Sequence, residues 1–291
     1  MISGVDYARD LIFFKNAVHA LRTDKLRKGD LVLLPAQGDV FFTGDIHGNV
    51  ENLERILQTA DLEHNPQRHV VLHELIHNIY NEEFKGDYSY ECLVLAAKFK
   101  TAFPDQVHIF AGNHELAELQ GKEIMKNGIP IPLVFNSRRI GAMGGGAGAL
   151  QATCRQFFRN LPVGLRTASG IWFSHSTPEK TLHKFSLEGL AGAKPATGSG
   201  TNKCSDPYLE EVVEDLVWGR DYNTSTARDF AQKVKSHVFI VGHEPCRGYS
   251  TPSPYHVILD SKDRFGSFCY LKLDKKYSQK GIVANIRSLR S

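Results

Sequence analysis

An α/β layered fold is what this sequence predicts, on three observations. Apolar runs of strand length alternate along the chain with stretches of helical periodicity. Several runs are followed directly by a turn and a helix. Four of them stop at a polar cluster, and strand ends along one sheet edge are where α/β proteins build their sites.

Taken in order, residues Val5 to Leu26 read as a helix, with Leu11, Ile12, Phe14, Val18 and Leu21 on a broad apolar face. Lys28-Gly29-Asp30 makes a turn, Leu31 to Leu34 a short strand, and Pro35 to Gly38 a second turn. Val40 to Thr43 is a buried strand ending at Gly44-Asp45, and Asn49 to Leu57 returns as a helix. Val70 to Leu72 is the next strand, Tyr88 to Phe99 a helix, and Val107 to Phe110 a strand ending at Gly112. Gly141 to Gly148 is low in complexity, lacks the spacing of a nucleotide fingerprint and reads as a loop. Gln151 to Asn160 is helical, Gly170 to Ser174 a strand, and Lys184 to Asn202 a long surface loop. Ala227 to Val234 is a helix leading to a strand at Val238 to Val241. Tyr255 to Leu259 and Ser267 to Leu273 are expected to close the chain as a hairpin.

Bulk composition narrows the function classes. A chain of 291 residues, 42% hydrophobic and 23% charged, has the make-up of a globular protein with a substantial core. Thirty-five basic against 32 acidic residues give +3, too balanced for a nucleic-acid binder. No apolar run is long enough for a membrane span, and the first ten residues carry no signal-peptide pattern. Five isolated cysteines without a C-x-x-C pair fit free thiols in a reducing cytoplasm. Nothing in the sequence speaks to oligomeric state.

The four polar clusters carry the chemistry. They are VFFTGDIHGN (40–49), VHIFAGNHE (107–115), IWFSHS (171–176) and VFIVGHE (238–244). Asp, His and Asn offer oxygen and nitrogen ligands suited to Mn, Fe or Zn. Gly44, Gly48, Gly112 and Gly242 are expected to let the backbone turn sharply beside the ions. A lone histidine after a strand is more often a satisfied polar side chain; four such clusters in one chain point to a metal centre.

In that order, these clusters resemble the phosphoprotein phosphatase group of calcineurin-like metallophosphoesterases, which carries GDxHG, GDxxDRG, GNHE, a strand-end His and a strand-end GH. The stretches 90–115, 158–176 and 214–221 are similar to the group as well, and the resemblance covers roughly residues 38 to 273. It implies a four-layer sandwich, two mixed β-sheets flanked by α-helices, in a single domain over 1–291, with 1–37 as an N-terminal helix and strand extension. It implies a phosphomonoesterase of the serine/threonine protein phosphatase type, acting on a phosphoprotein or a small phosphate ester. Two divalent ions, a bridging hydroxide as nucleophile and a histidine general acid would carry the reaction. Asp45 and His47 would bind one ion, and Asn113, His175 and His243 the other. His114 would protonate the leaving oxygen. Arg220 and Asn113 would hold the phosphate.

The second block departs from the group. VLHELIHNI (71–79) stands where GDxxDRG is expected. Glu74 takes the place of the bridging Asp, and is longer by one C–C bond of roughly 1.5 Å. His77 replaces the Asp that orients the catalytic histidine, and Asn78 replaces a phosphate-binding Arg. Arg220 or Lys122 would have to substitute.

Two other readings stand beside this one. His73-Glu74-Leu75-Ile76-His77 is a literal HExxH, whose helical spacing would place both histidines on one face of a zinc protease. The altered block would also suit a catalytically weak, phosphatase-like binding protein. Metal content separates the three: two ions, one zinc, or few to none.

Overall fold

Two sheets face each other through side chains that alternate along every central strand. The structure, a computed structural model, describes residues 7–78, 87–126, 128–131, 147–198 and 200–290. The first third runs α1 (Tyr7–Thr23), β1 (Arg27–Lys28), β2 (Leu31–Leu33), β3 (Asp39–Asp45), α2 (Val50–Ala60), β4 (Arg68–His73) and α3 (Ser89–Ala102). Next come β5 (Val107–Phe110), α4 (Asn113–Gln120), a small hairpin of β6 (Met125–Lys126) and β7 (Ile129–Pro130), α5 (Ala147–Asn160), β8 (Gly164–Arg166) and β9 (Ile171–Ser174). The remainder is α6 (Leu187–Ala191), α7 (Pro207–Trp218), α8 (Thr224–Val234), β10 (Val238–Val241), β11 (Tyr249–Ser250), β12 (His256–Leu259), β13 (Ser267–Lys272), α9 (Gln279–Val283) and β14 (Ile286–Ser288).

One sheet has the order β1-β2-β8-β9-β10-β12-β11, the other β14-β13-β3-β4-β5, and both are mixed. Within them β9-β10-β12 and β3-β4-β5 are parallel, so the C-terminal ends within each set share an edge.

Period-two alternation explains the unbroken apolar runs, because both faces of these strands are covered. Val40 and Phe42 on β3, Val71 on β4, Phe110 on β5, Ile171 and Phe173 on β9, and Val238 and Ile240 on β10 form the core between the sheets. Their neighbours point outward to helices. Trp172 meets Phe185 and Phe230 edge-on, and α8 supplies Phe230. Phe173 stands at the centre, stacked on Phe42 and edge-on to Phe110 and His73. His73 therefore lies on the inter-sheet face of β4, aimed at the other sheet.

The N-terminal segment is built into this frame. β2 pairs with β8, Tyr90 Oη on α3 donates to Asp10 of α1, and Arg22 donates to Asn160 on α5. Among the described residues no helix is long and apolar enough to cross a membrane.

Two sequence expectations are corrected. β12 and β13 are not a hairpin: β12 pairs with β10 in one sheet and β13 with β3 in the other. The intervening chain crosses between the sheets at Ser261, which is buried there. Its backbone N–H donates to the Asp45 carbonyl, and its hydroxyl accepts from Gly44 N–H and donates to Ser267. The 184–202 stretch is not a bare loop either. It contains α6 with Leu190 buried, and Pro195 pairs with Cys204 in a bridge. The Gly-rich run is outside the described residues up to 146; Ala147 and Gly148 open α5.

Candidate metal centre

Five strand ends from the two sheets meet at one place. β3 delivers Asp45 and His47, β4 His73 and Glu74, β5 with α4 Asn113 and His114, β9 His175, and β10 His243. All eight are buried.

The tightest group is Asn113, His175 and His243. Asn113 Oδ1 lies 2.8 Å from His175 Nε2 and 3.1 Å from His243 Nδ1, and the two ring nitrogens are 3.1 Å apart. One proton cannot serve three mutual contacts. Adjacent ligands of one octahedral cation with bonds of about 2.1 Å sit about 3.0 Å apart, which these separations match. Glu74 Oε2 is 3.5 Å from the same His175 nitrogen.

Glu74 also reaches a second group. Its Oε1 is 3.6 Å from His114 Nε2, and His47, Glu74 and His114 each place a ligand atom within 4.8 Å of the others. Asp45 stands nearby, Oδ2 at 3.9 Å from His47 Nε2. His47 Nδ1 donates to the Ile76 carbonyl at 3.0 Å, and that bond leaves Nε2 with its lone pair turned to the cluster. The His243 backbone N–H donates to both Asp45 oxygens at 3.1 Å, which ties the two sheets together across the site. The donor set and spacing fit a pair of divalent ions.

Electrostatics favour neutral ligands. Burial pushes the His175 imidazole well below its usual pKa, and charge on His243, His73, His47 or Arg220 would push it further. Burial also lowers His73, against the pull of Asp45. Deprotonated rings are the form a cation binds.

The backbone carries strain here. Among the described residues six non-glycine positions have positive φ. Asp61 and Lys235 cap helices; the other four are His47 (φ 47°), Glu74 (48°), His77 (63°) and His243 (70°). The sharp turns are thus made by site residues themselves, at a cost of order 1–3 kcal/mol each. That corrects the role given to three glycines: of the four, only Gly48 has positive φ. Gly112 and Gly242 are needed for close approach. A Cβ on Gly112 would lie 1.5 Å from Glu74 Oε2, and one on Gly242 2.1 Å from Asp45 Oδ1.

Glu115 of GNHE is a clamp. Its oxygens accept from the N–H groups of Leu75 (2.8 Å), Ile76 (3.3 Å) and Gly112 (3.0 Å), locking the β4 and β5 ends together. Burial pushes its carboxyl up to about 7 against those donors.

Beside the cluster, His77 Nδ1 faces His114 Nδ1 at 2.9 Å, and His77 Nε2 lies 3.6 Å from Glu118 on α4. Arg220 follows α7, is half-exposed and pairs with Glu244 beside His243. Lys122 pairs with Glu214 on the surface. The HExxH geometry is not formed: 68–73 is strand, 74–78 is not helical, and His73 and His77 join different neighbours, His175 and His114. Two further residues stand against this cluster without a family motif to mark them: His73 closes β4 beside His175, and Glu118 lies one helical turn after His114 and faces His77.

With this geometry in view, comparisons place the chain. The sequence model of the calcineurin-like phosphoesterase family matches residues 39–266. A probable serine/threonine-protein phosphatase of Encephalitozoon cuniculi is 22% identical over 207 residues, 66% of this chain and 38% of that relative, so the match spans well under half of the relative's length. A protein serine/threonine phosphatase structure from Saccharomyces cerevisiae superposes with a TM-score of 0.68 over 97% of this chain and 88% of that one, at 14% identity. A cold-active protein-tyrosine phosphatase from a psychrophilic Shewanella gives 0.59 over 86% and 79%, also at 14% identity. These two likenesses establish the fold.

Proposed function

This chain belongs to the calcineurin-like phosphoesterase family, and on that premise we propose that it is a two-metal phosphomonoesterase of the serine/threonine protein phosphatase type. The observation that carries the proposal is the mutual contact of Asn113 Oδ1, His175 Nε2 and His243 Nδ1 at 2.8–3.1 Å, with Glu74 at 3.5 Å. In this assignment Asp45 and His47 would hold one ion and Asn113, His175 and His243 the other, with Glu74 reaching towards both groups. The Encephalitozoon relative supports phosphoserine or phosphothreonine in a protein as the substrate class.

Two divalent ions bound there supply positive charge to the phosphoryl oxygens and activate the attacking water. The chain's own residues do the rest. Asn113 uses Oδ1 in the ligand trio, which leaves its amide N–H groups to donate to a phosphate oxygen. Arg220 exchanges Glu244 for the phosphate, its planar fork matching two oxygens. His114 is held through Nδ1 by His77, so its Nε2 delivers the proton to the leaving oxygen. Burial of the ligand trio keeps bulk water from competing for the ions.

The test is bound-metal analysis together with hydrolysis of an aryl phosphate in added Mn. Two ions per chain and activity abolished by Asn113→Ala and by His243→Ala are expected. Undiminished activity in both variants would refute the two-metal reading.

A further inference from the structure

His73 occupies the position that corresponds to the first glycine of GDxxDRG, so nothing in the family motif gives it a part. The structure gives it two contacts. Its Nε2 lies 3.1 Å from the Thr43 carbonyl, and its Nδ1 lies 3.0 Å from His175 Nδ1. The ring is fully buried on the inter-sheet face and held edge-on against Phe173.

Proton placement follows from these contacts. A carbonyl oxygen only accepts, so His73 Nε2 carries the hydrogen. A neutral imidazole has one N–H, so His73 Nδ1 offers a lone pair. Outside the Asn113 trio, a hydrogen between two ring nitrogens 3.0 Å apart relieves their lone-pair repulsion, and with His73 Nδ1 unprotonated that hydrogen sits on His175 Nδ1. The remaining nitrogen of His175, Nε2, then has its lone pair free, and it is the atom that faces Asn113 Oδ1, His243 Nδ1 and Glu74 Oε2. Asp45 Oδ1, 3.7 Å from both Nδ1 atoms, favours a hydrogen between them. The opposite tautomer of His175 would aim an N–H at the cation.

We propose that His73 is a positioning residue: through the relay Thr43 C=O, His73, His175 it fixes His175 as its Nδ1–H tautomer and presents Nε2 to the ion. The inference rests on the two-metal reading for its purpose, although the tautomers it assigns belong to the protein without metal as well. Asp45, His73 and His175 also lie within 4.8 Å of one another as possible ligands. The Nδ1–Nδ1 contact favours the relay over direct ligation, because it engages the His175 nitrogen outside the trio.

The experiment is long-range proton–nitrogen correlation spectroscopy on the full chain with labelled histidine, metal-free and after zinc addition. The expected result is Nε2–H for His73 and Nδ1–H for His175 in both states, with zinc shifting His175 Nε2 and leaving His73 Nδ1 unligated. A zinc-bound shift at His73 Nδ1, or an Nε2–H tautomer at His175, overturns the relay. His73→Phe keeps the ring packed against Phe173 and removes both hydrogen bonds. Zinc affinity measured calorimetrically should fall about 10–100-fold; unchanged affinity also overturns the relay. If zinc shifts no histidine, the two-metal reading fails, and the metal-free tautomers still decide the relay.

Discussion

His77 and His114 face each other through their Nδ1 atoms at 2.9 Å, and the other nitrogen of His77 lies 3.6 Å from the Glu118 carboxylate. An aspartate is expected beside the catalytic histidine in this family's motif. Here a second imidazole stands in that place, and the negative charge stands one side chain further out. Proton delivery by His114 predicts a substrate-dependent loss. His114→Asn should lower turnover of a phosphoserine peptide by about 10²–10⁴-fold. An aryl phosphate whose phenolate departs without a proton should lose far less. His77→Ala should show the same selectivity to a smaller degree, and Glu118→Gln smaller still. Kinetics on the two substrates check it; equal losses on both would remove the general acid.

Close approach at the glycines predicts a steric effect on metal binding. Gly112→Ala and Gly242→Ala put a methyl 1.5 Å from Glu74 Oε2 and 2.1 Å from Asp45 Oδ1. Both variants should lose bound metal and activity. Gly148→Ala, exposed on α5 with open space around it, should keep both and gain about 0.5–1 kcal/mol in stability. Metal analysis and thermal melts decide, and full metal content in Gly242→Ala would count against the site.

Ion binding predicts linkage to stability. Metal at one hundred times its dissociation constant should raise stability by about 2.7 kcal/mol. A chelator should lower Tm correspondingly. His243→Ala should be less sensitive to the chelator, and a melt that ignores chelator in the unsubstituted chain would refute the linkage.

A buried histidine outside the ligand cluster predicts acid sensitivity. Burial holds His256 down to about 4 against the usual 6.5, opposed weakly by Asp221. Its ring bonds Ser253 and Thr177. The folded form stays neutral, whereas the unfolded chain takes up a proton below 6.5. Stability contributed by this residue is therefore full above that pH, falls as pH drops towards 4, and levels off below. The change is about 3 kcal/mol. Urea unfolding at about pH 7 and about pH 4.5 should show a flatter dependence in His256→Gln; an unchanged slope would contradict it.

Much of this protein is written locally. Unbroken apolar runs mark strands buried on two faces, and GDIHGN and GNHE mark the ends of two of them, because strand identity and turn chemistry are properties of short segments. Fold class and most of the cluster residues could therefore be named before any coordinates. Other features depended on chain packing. Tyr255–Leu259 and Ser267–Leu273 read equally well as a hairpin, yet they pair with β10 and β3 in different sheets, with Ser261 anchored by buried hydrogen bonds where the chain crosses. HELIH has helical spacing, yet Leu72 and His73 pair beside Ile109 and Phe110 as strand. That pairing sends His73 to His175 and leaves His77 for His114. The sequence by itself determined that strands end in side chains of metal-ligand type. Tertiary structure decided which of those side chains meet, because ring nitrogens from strands on two sheets find one another only after the inter-sheet core around Phe173 has set the distance between them.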